Sequence, residues 1–340
     1  MTLRNRVCGG GPNMKVTVSE ARRLVNHTMQ ACGHDVVESV AIADHLIDCE
    51  LRGLSYGGLP RALSVYERTT KSSYSRKPIN ISHETPLSAL VDGGNTIGYL
   101  VGLRAAEIAI EKASEHGMSV VGARDTWHTG MLSYYAEMAA KQDLVSMIAS
   151  NASPNVAPHG GTEGRFGTNP VSFGFPSTDD PVIWDIGTSA IMHGEVVLAG
   201  RLGQELPDGV AFDLEGHPTR SPDQALQGAI AAWGGHKGSG LAIAVQLLGA
   251  MCAVPAMPKD MFGYGCLFVM MRPDLLMSME AYKAEVAGYA ADIRSTRPVE
   301  GGSLVRMPFD RSAAERRRRL TEDSIEVPDL VHARLAEIAG

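Results

Sequence analysis

The sequence lacks any uninterrupted apolar run of the roughly 18 residues that a membrane-spanning helix needs. Its richest stretch, Leu241 to Ala256, is shorter and is broken by Gln246, Gly249 and Pro255. A basic excess is missing too. The formal net charge is −7, which argues against nucleic acid as a main partner, because phosphate neutralisation needs a basic surface. Cysteine is scarce: five residues, at 8, 32, 49, 252 and 266, form no CxxC pair and have no histidine at ligand spacing. No metal site is therefore expected. An odd, scattered set of thiols without an export signal implies a reducing compartment, so a soluble cytoplasmic protein is expected. Met1 to Met14 holds two arginines and three consecutive glycines but no apolar centre. It reads as a flexible extension ahead of the first ordered segment, not as a secretory signal.

What is present is ample material for a core. The 340 residues are 44% hydrophobic and 20% charged, which excludes a disordered chain. At roughly 150 residues per domain the length suggests about two domains, or one large one.

Val16 to Cys32 opens with Thr17 and Ser19 as capping candidates and places Ala21, Leu24, Val25 and Met29 at helical spacing, with Gly33 as a stop. Val36 to Leu51 repeats the pattern, and Arg52 to Arg61 leaves this second helix. A third helix is expected from Ile97 to Glu115, ended by Gly117. Met118 to Ala123 reads as a strand, Asp125 to Gly130 as a polar turn, Met131 to Lys141 as a helix and Leu144 to Ala149 as a strand. Asn151 to Asp185 holds five prolines and five glycines and does not read as helix; its strand-like runs are Val171 to Phe175 and Val182 to Trp184. Val196 to Gly200 is strand or helix. Pro207 to Pro222 reads as surface loops, Leu241 to Cys252 as a long apolar helix, Phe262 to Met271 as a strand and Met279 to Arg294 as an amphipathic helix. A last helix, Ser312 to Leu320, carries Arg316 to Arg319, which reads as a solvated face rather than a binding patch. There is no internal repeat.

A doubly wound nucleotide domain is not spelled out. No GxGxxG joins an early strand to a helix, and no acidic residue lies about 20 residues beyond one. Gly235 to Gly240 has the spacing reversed and no clear strand before it.

Four segments have the composition of sites. In Arg52 to Arg61, Gly57 and Gly58 present Ser55 and Tyr56 in a bend, and the Arg61 guanidinium is suited to a two-pronged grip on a carboxylate; the alternative is a helix end with a surface arginine. In Trp127 to Gly130, His128 sits between strand and helix, where an imidazole can exchange a proton near neutral pH. Yet there are eleven histidines, and most must be structural or solvent-facing. Gly167 to Pro170 is followed by Asp185 to Ser189, where Asp185 ends a strand-like run. That aspartate is either a proton donor or ribose ligand, or an ordinary turn or cap residue. Gly234 to Gly240, with Lys237 ahead of a helix, suits phosphate binding: glycines let backbone N–H groups approach, and the helix dipole adds positive potential.

Together, and in this order, these segments resemble the malate/L-lactate dehydrogenase family. That family is unrelated to the Rossmann dehydrogenases and includes ureidoglycolate and sulfolactate dehydrogenases, diketogulonate reductase and the cyclic ketimine reductases. The resemblance runs from about Lys15 to the C-terminus. It is carried by R-G-x-S-x-G-x-x-x-R at Arg52 to Arg61, the H-x-G turn at His128, GTNP at Gly167 to Pro170, D-x-x-T-S at Asp185 to Ser189, GG-x-K-G from Gly234, and R-x-P at Arg306 to Pro308. It implies an α+β fold with a mostly antiparallel, non-Rossmann NAD(P)-binding sheet and helical N- and C-terminal parts. The implied division is an extension over 1–14, a helical region with a substrate-binding segment over 15–95, a cofactor-binding and catalytic region over 96–310, and a helical region over 311–340. It further implies an NAD(P)-dependent oxidoreductase and a homodimer with the cofactor site near the subunit contact.

By the same resemblance, Asp185, Ile186, Gly187, Thr188, Ser189, His193, His236, Lys237, Arg306 and Pro308 contact the cofactor. Ser55, Arg61 and Thr168 bind a small carboxylate substrate. His128, Asp185 and Tyr56 are the catalytic candidates. His159 and His236, with Ala190 to Gly194, are closer to the Δ1-piperideine-2-carboxylate and Δ1-pyrroline-2-carboxylate reductases, which mostly use NADPH. The expected reaction is therefore reduction of the C=N of a small 2-imino acid by NADPH, with NADH possible; the alternative is a 2-hydroxyacid dehydrogenase of malate, lactate or ureidoglycolate type. Two positions depart from the family. Ser-His-Gly is here Ser55-Tyr56-Gly57, and Pro-Gly-Glu is Pro308-Phe309-Asp310. A tyrosine, with a reference pKa of about 10, is a poor base at neutral pH, which hinders alcohol oxidation more than imine reduction. The reading requires Lys237 and Asp185 to open onto connected space.

Overall fold

The computed structural model describes residues 12–258 and 263–340, so Cys8, Phe262 and most of the expected N-terminal extension lie outside it. Strand β1 (Asn13–Val16) opens the described chain. Helix α1 (Val18–Ala31) follows, capped by Thr17, whose hydroxyl accepts from the Glu20 N–H at 3.1 Å. Helix α2 (Val36–Leu51) is capped in the same way by Asp35 on Glu38, at 2.8 Å; each cap satisfies an N–H that has no partner inside its helix. Beyond α2 the chain makes a 3₁₀ turn over Ser55–Gly57 and enters α3 (Leu59–Thr69). Gly57, Gly58 and Pro60 disguise this helix in the sequence, but proline in a first turn costs no hydrogen bond.

The hairpin β2 (Asn80–Glu84) and β3 (Ser88–Ile97) escapes the pattern reading because β2 is exposed throughout and Asp92 to Asn95 interrupts β3 with turn residues. Helix α4 (Gly98–His116) leads to β4 (Met118–Trp127). The expected turn at Asp125 starts later than its polar residues suggest. Thr126 and Trp127 still pair with Thr96 and Ile97, past a bulge where Asp125 takes φ 48°. Next come α5 (Leu132–Ala140), β5 (Val145–Ser150), β6 (Val156–Ala157), β7 (Val171–Phe175) and β8 (Val182–Ile186). The ambiguous Val196 to Gly200 lies in a helix, α6 (His193–Arg201). The stretch read as loops contains a two-residue strand, β9 (Ala211–Phe212). Helix α7 (Pro222–Gln227) and β10 (Ala229–Ala231) then precede the glycine turn, so a strand does stand before it, too short to show in the sequence. Helix α8 (His236–Ala250) begins inside the glycine run rather than at Leu241. The chain finishes with β11 (Cys266–Met271), α9 (Met279–Ser295), α10 (Asp310–Glu322), β12 (Ile325–Pro328) and α11 (Asp329–Ala339).

The main sheet has seven strands in the order β2-β3-β4-β11-β5-β7-β8. Only β3 and β4 run parallel; the other neighbours are antiparallel. Helices α4 and α5 cover one face through Val101, Ala105, Leu132 and Tyr135, packed on Val121, Ile148 and Phe268. Helix α8 meets Ala149 and Val171 through Val245. A three-stranded sheet, β6-β10-β9, forms a second core with α6 and α7 around Val156, Val196 and Ile230. Helices α1, α2, α3 and α11 enclose a third, around Leu24, Leu46, Leu63 and Leu335, and β1 pairs with β12 so that the two ends of the described chain meet. The fold is thus α+β with a mostly antiparallel sheet.

The arginine run is more than a solvated face. On α10, Arg316 reaches Asp48 of α2 at 2.5 Å, Arg317 pairs with Asp180 and Arg318 with Glu315 and Glu322, while Arg319 donates to the backbone oxygen of Glu50 at 2.8 Å.

Candidate active site

The three cores leave between them a cavity of about 810 Å³, within the size range of small-molecule sites. Its wall takes in the end of α2, the 3₁₀ bend, the turn after β4, the end of β8, the start of α6 and the segment 306–312. Three residues of this wall or just behind it hold left-handed backbone without being glycine: His128 at φ 53°, Asn169 at 36° and Phe309 at 76°. Such conformations persist only where the surroundings over-determine them.

Arg61, in the first turn of α3, points into the cavity with its Nη1 3.5 Å from His128 Nε2. The guanidinium has no acceptor, so the contact places the lone pair of His128 Nε2 toward Arg61. Burial, then the charge of Arg61, holds the His128 imidazole well below the usual histidine range. Burial and Arg61 likewise push His193 down to about 4. One permanent cation thus keeps two neutral imidazoles beside it. Gly194 makes this packing possible, since a Cβ there would strike Arg61 Nη2 and lie 2.9 Å from the Tyr56 ring.

Asp185, next to last in β8, faces the N-terminus of α5. Helix α5 begins after Met131, which offers no side-chain cap. Asp185 Oδ2 instead accepts from the Ser133 N–H at 2.7 Å. Burial raises the carboxyl above the usual aspartate range, against the hydrogen bonds from Ser133 and Leu132 that lower it. A carboxyl raised by burial and held by hydrogen bonds in this way can carry an exchangeable proton.

Tyr56 lines the cavity beside Arg61, and burial first, then nearby Glu195 and Asp185, raise its phenol above the ordinary range. It is a donor there, not a base. Ser55 is not part of the lining; its carbonyl closes the bend by accepting from Gly58 at 3.1 Å. Thr168, Ile186, Gly187, Ser189, His193, Arg306 and Pro308 all line the cavity. Thr188 does not: it is fully buried and donates its hydroxyl to the Thr168 carbonyl at 3.0 Å. His236 and Lys237 are exposed outside the lining, at the start of α8. Their loop is tied to the strand end nonetheless, because the Trp233 N–H donates to the Thr188 carbonyl at 2.8 Å and Ser189 bridges to Ala232. The α8 N-terminus has no side-chain cap, and its free N–H groups with Lys237 suit a diphosphate. The Asp185–Ser189 segment and the α8 N-terminus are thus joined by backbone contacts, an arrangement with polar groups suited to a dinucleotide. Among the described residues no cluster suits a metal ion.

Several wall residues carried no signal in the sequence. Cys49, Tyr99, Ser133, Asn151, Glu195, Tyr264 and Arg311 all reach the cavity. Glu195 sits three residues after Met192 and accepts its N–H at 3.0 Å, the far half of a capping box; methionine in the cap position hid that pattern. Arg52, at the head of the first motif, is structural. It is 3% exposed, pairs with Asp48 at 2.6 Å and with Glu137, and covers the Phe309 ring at 4.4 Å.

Residues 16–336 match the family model described as Malate/L-lactate dehydrogenase. The L-sulfolactate dehydrogenase of Methanothermobacter thermautotrophicus is 32% identical over 336 residues, covering 96% of each chain. A dehydrogenase from Sinorhizobium meliloti superposes with a TM-score of 0.90 at 28% identity, over 97% of this chain and 99% of that one. The Δ1-piperideine-2-carboxylate reductase of Pseudomonas syringae superposes with a TM-score of 0.82 at 25% identity, over 96% and 99%.

Proposed function

The chain belongs to the malate/L-lactate dehydrogenase family of NAD(P)-dependent oxidoreductases, and on that premise we propose that it reduces the C=N bond of a small 2-imino acid. The observation that carries this is that neither the two imidazoles nor the phenol of the described cavity is suited to act as a base near neutral pH. His128 is held well below its usual range, His193 is pushed down to about 4, and the Tyr56 phenol is raised. Oxidising a 2-hydroxy acid requires a group that takes up the hydroxyl proton, and efficiency falls as its pKa leaves the working pH. A protonated imine needs no such group, because its positive nitrogen already invites hydride.

Bound NADPH supplies the hydride. Arg61 grips the substrate carboxylate, with Tyr56 and Thr168 as hydrogen-bonding neighbours. Asp185 faces the imine nitrogen and keeps it protonated, returning to its protonated state from solvent. His128, neutral, accepts from Arg61 and fixes the guanidinium. The cofactor would be held by the Asp185–Ser189 segment, by His193, Arg306 and Pro308, and by the α8 N-terminus with His236 and Lys237. NADPH is the proposed coenzyme because the resemblance is to NADPH-using reductases, and NADH is the alternative.

A homodimer is proposed as well. Ile243, Leu247 and Met251 are 48%, 58% and 65% exposed at successive turns of α8, a stripe with no charged residue between Gly238 and Ala250. The cytoplasm is the proposed compartment, in keeping with free thiols at Cys32, Cys49, Cys252 and Cys266. Among the described residues no helix is long and apolar enough to cross a membrane.

The 2-hydroxyacid reading is supported by the similarity to relatives named as sulfolactate, malate and ureidoglycolate dehydrogenases. Purified protein given Δ1-piperideine-2-carboxylate with NADPH or NADH, followed through the absorbance of the reduced nicotinamide, separates the two. Consumption of NADPH is expected. Oxidation of sulfolactate or malate, with no turnover of the imino acid, overturns the proposal.

A further inference from the structure

His45 lies one turn before Cys49 on α2 and touches no expected site residue, yet it is among the most constrained groups in the molecule. It is 1% exposed, and its ring packs against Tyr134 at 4.5 Å, Tyr99 at 4.7 Å and Tyr135 at 5.5 Å between centroids. Nε2 accepts the Met131 N–H at 2.8 Å. With Nε2 an acceptor, the proton of a neutral ring sits on Nδ1, and Nδ1 is buried with no hydrogen-bond partner. A position that served packing alone is better filled by an apolar side chain. Burial pushes this histidine down to about 3, so the accepting form is the one present at neutral pH.

The bond it makes falls at a sensitive place. Met131 closes the turn that begins with His128, whose left-handed backbone needs restraint from both sides. On the strand side the Trp127 indole donates to the Asn95 carbonyl at 3.0 Å. On the helix side Tyr135 donates to the Thr129 carbonyl at 2.9 Å and Met131 donates to His45. Gly130, at φ 78°, is packed so closely that a Cβ would strike His45 Nε2 and lie 2.5 Å from the Tyr99 ring. The α5 N-terminus, without a cap of its own, is thus held by two remote acceptors: Asp185 on Ser133 and His45 on Met131.

We propose that His45 is a positioning residue for the reaction: by accepting the Met131 N–H it fixes the His128–Gly130 turn, and with it the face that His128 presents to Arg61. This rests on the oxidoreductase reading of the cavity, so the test includes a readout that needs no substrate. His45→Leu removes the acceptor at similar bulk, and His45→Gln restores one. In ring-labelled protein without ligand, the His128 nitrogen signals are expected to shift in His45→Leu and to return toward their original position in His45→Gln. In turnover, His45→Leu is expected to lower kcat by about 10- to 100-fold, the scale of a small misplacement of a reacting group. NADPH affinity should stay within about threefold, and His45→Gln should recover most of the loss. If His45→Leu does not accumulate as folded protein, His45→Asn, whose amide is too short to reach Met131, takes its place. Unmoved His128 signals in the acceptor-free variant overturn the proposal. So does equal impairment of that variant and His45→Gln, or a change in KM with kcat intact. A shifted His128 signal in a protein with no imino- or hydroxy-acid activity preserves the positioning role and refutes the assigned reaction instead.

Discussion

In the proposed reaction, Arg61 and Asp185 divide the work by charge. The guanidinium is permanently charged and offers a planar fork that a lysine cannot reproduce. Arg61→Lys is therefore expected to raise the KM for the carboxylate substrate by about 10- to 100-fold, with a smaller change in kcat, as steady-state kinetics would show. Asp185→Asn keeps an oxygen for the Ser133 N–H but removes the exchangeable proton. Its kcat should fall by about 10² to 10⁴ while NADPH titration and melting temperature stay near those of the parent; a loss below tenfold would remove Asp185 from the proton path. Glu50 offers a prediction about stability. It is 1% exposed, one oxygen accepts from the Leu59 N–H at 2.7 Å, and the other has no partner. Burial raises its carboxyl to about 7 from an ordinary 4.5. The folded state therefore binds a proton that the unfolded chain has already lost, and Glu50's contribution to stability falls as pH rises from about 4.5 to about 7. Glu50→Gln, neutral at all pH, should gain on the parent between pH 5 and pH 8. The gain should be about 1–3 kcal/mol, since each unit of pKa corresponds to about 1.4 kcal/mol. Denaturant unfolding at the two pH values measures that difference, and parallel pH curves would rule it out.

Elements carry the site through their ends. The C-terminal end of α2 offers Asp48 and Arg52 to two partners at once, Glu137 on α5 and Arg316 on α10, while Arg52 covers Phe309 in the cavity wall. Arg52→Met would remove the shared partner of two carboxylates, leaving Asp48 to Arg316 and Glu137 to Lys141. A loss of about 1–3 kcal/mol is expected, the scale of lost hydrogen bonds to charged groups, together with faster tryptic cleavage at Arg306 and Arg311 as the wall loosens. Unchanged proteolysis would confine Arg52 to global stability. This network also shows what the sequence concealed. Arg52 and Arg61 stand in one motif and look interchangeable as anion ligands, yet only Arg61 reaches the cavity, because α2 still governs Arg52 and the bend at Ser55–Gly57 releases the chain before Arg61. Elements with strong periodicity or clean caps, such as α1, α2 and β7, were legible. Those missed were short or locally disguised: α3 behind two glycines and a proline, exposed β2, three-residue β10. The motif residues were legible by type, and those from Asp185 to His193 largely share one cavity. Tyr99, Tyr264 and His45 were not, because their importance arises from contacts between distant parts of the chain, as when His45 meets Met131 at a separation of 86; Glu195 was hidden by the methionine in its cap position.

At the scale of the whole molecule, the exposed face of α8 is the surface on which the proposed dimer rests. Ile243, Leu247 and Met251 recur every fourth residue, so they form a continuous ridge along one side of the helix. The ridge carries no charge, and Trp233 and Met257, 39% and 54% exposed, extend the apolar surface at both ends. An uncharged ridge is compatible with its own copy, and a twofold axis places the same patch on both sides of a contact. The helix that would be covered is also the one whose first turn holds His236 and Lys237. In the proposed dimer, association would be coupled to cofactor binding, since ordering either surface of α8 would favour the other. Leu247→Glu places a charge at the middle of the ridge, where pairing would bury it against its own symmetry mate. Light scattering should show the parent as a dimer and the variant shifted to monomer at micromolar concentration. NADPH affinity in the variant should fall by about 5- to 100-fold, the span of ordinary coupling energies. A monomeric parent would remove the dimer from the proposal. A variant that dissociates yet binds NADPH as before would show that each chain holds its cofactor without help from the partner.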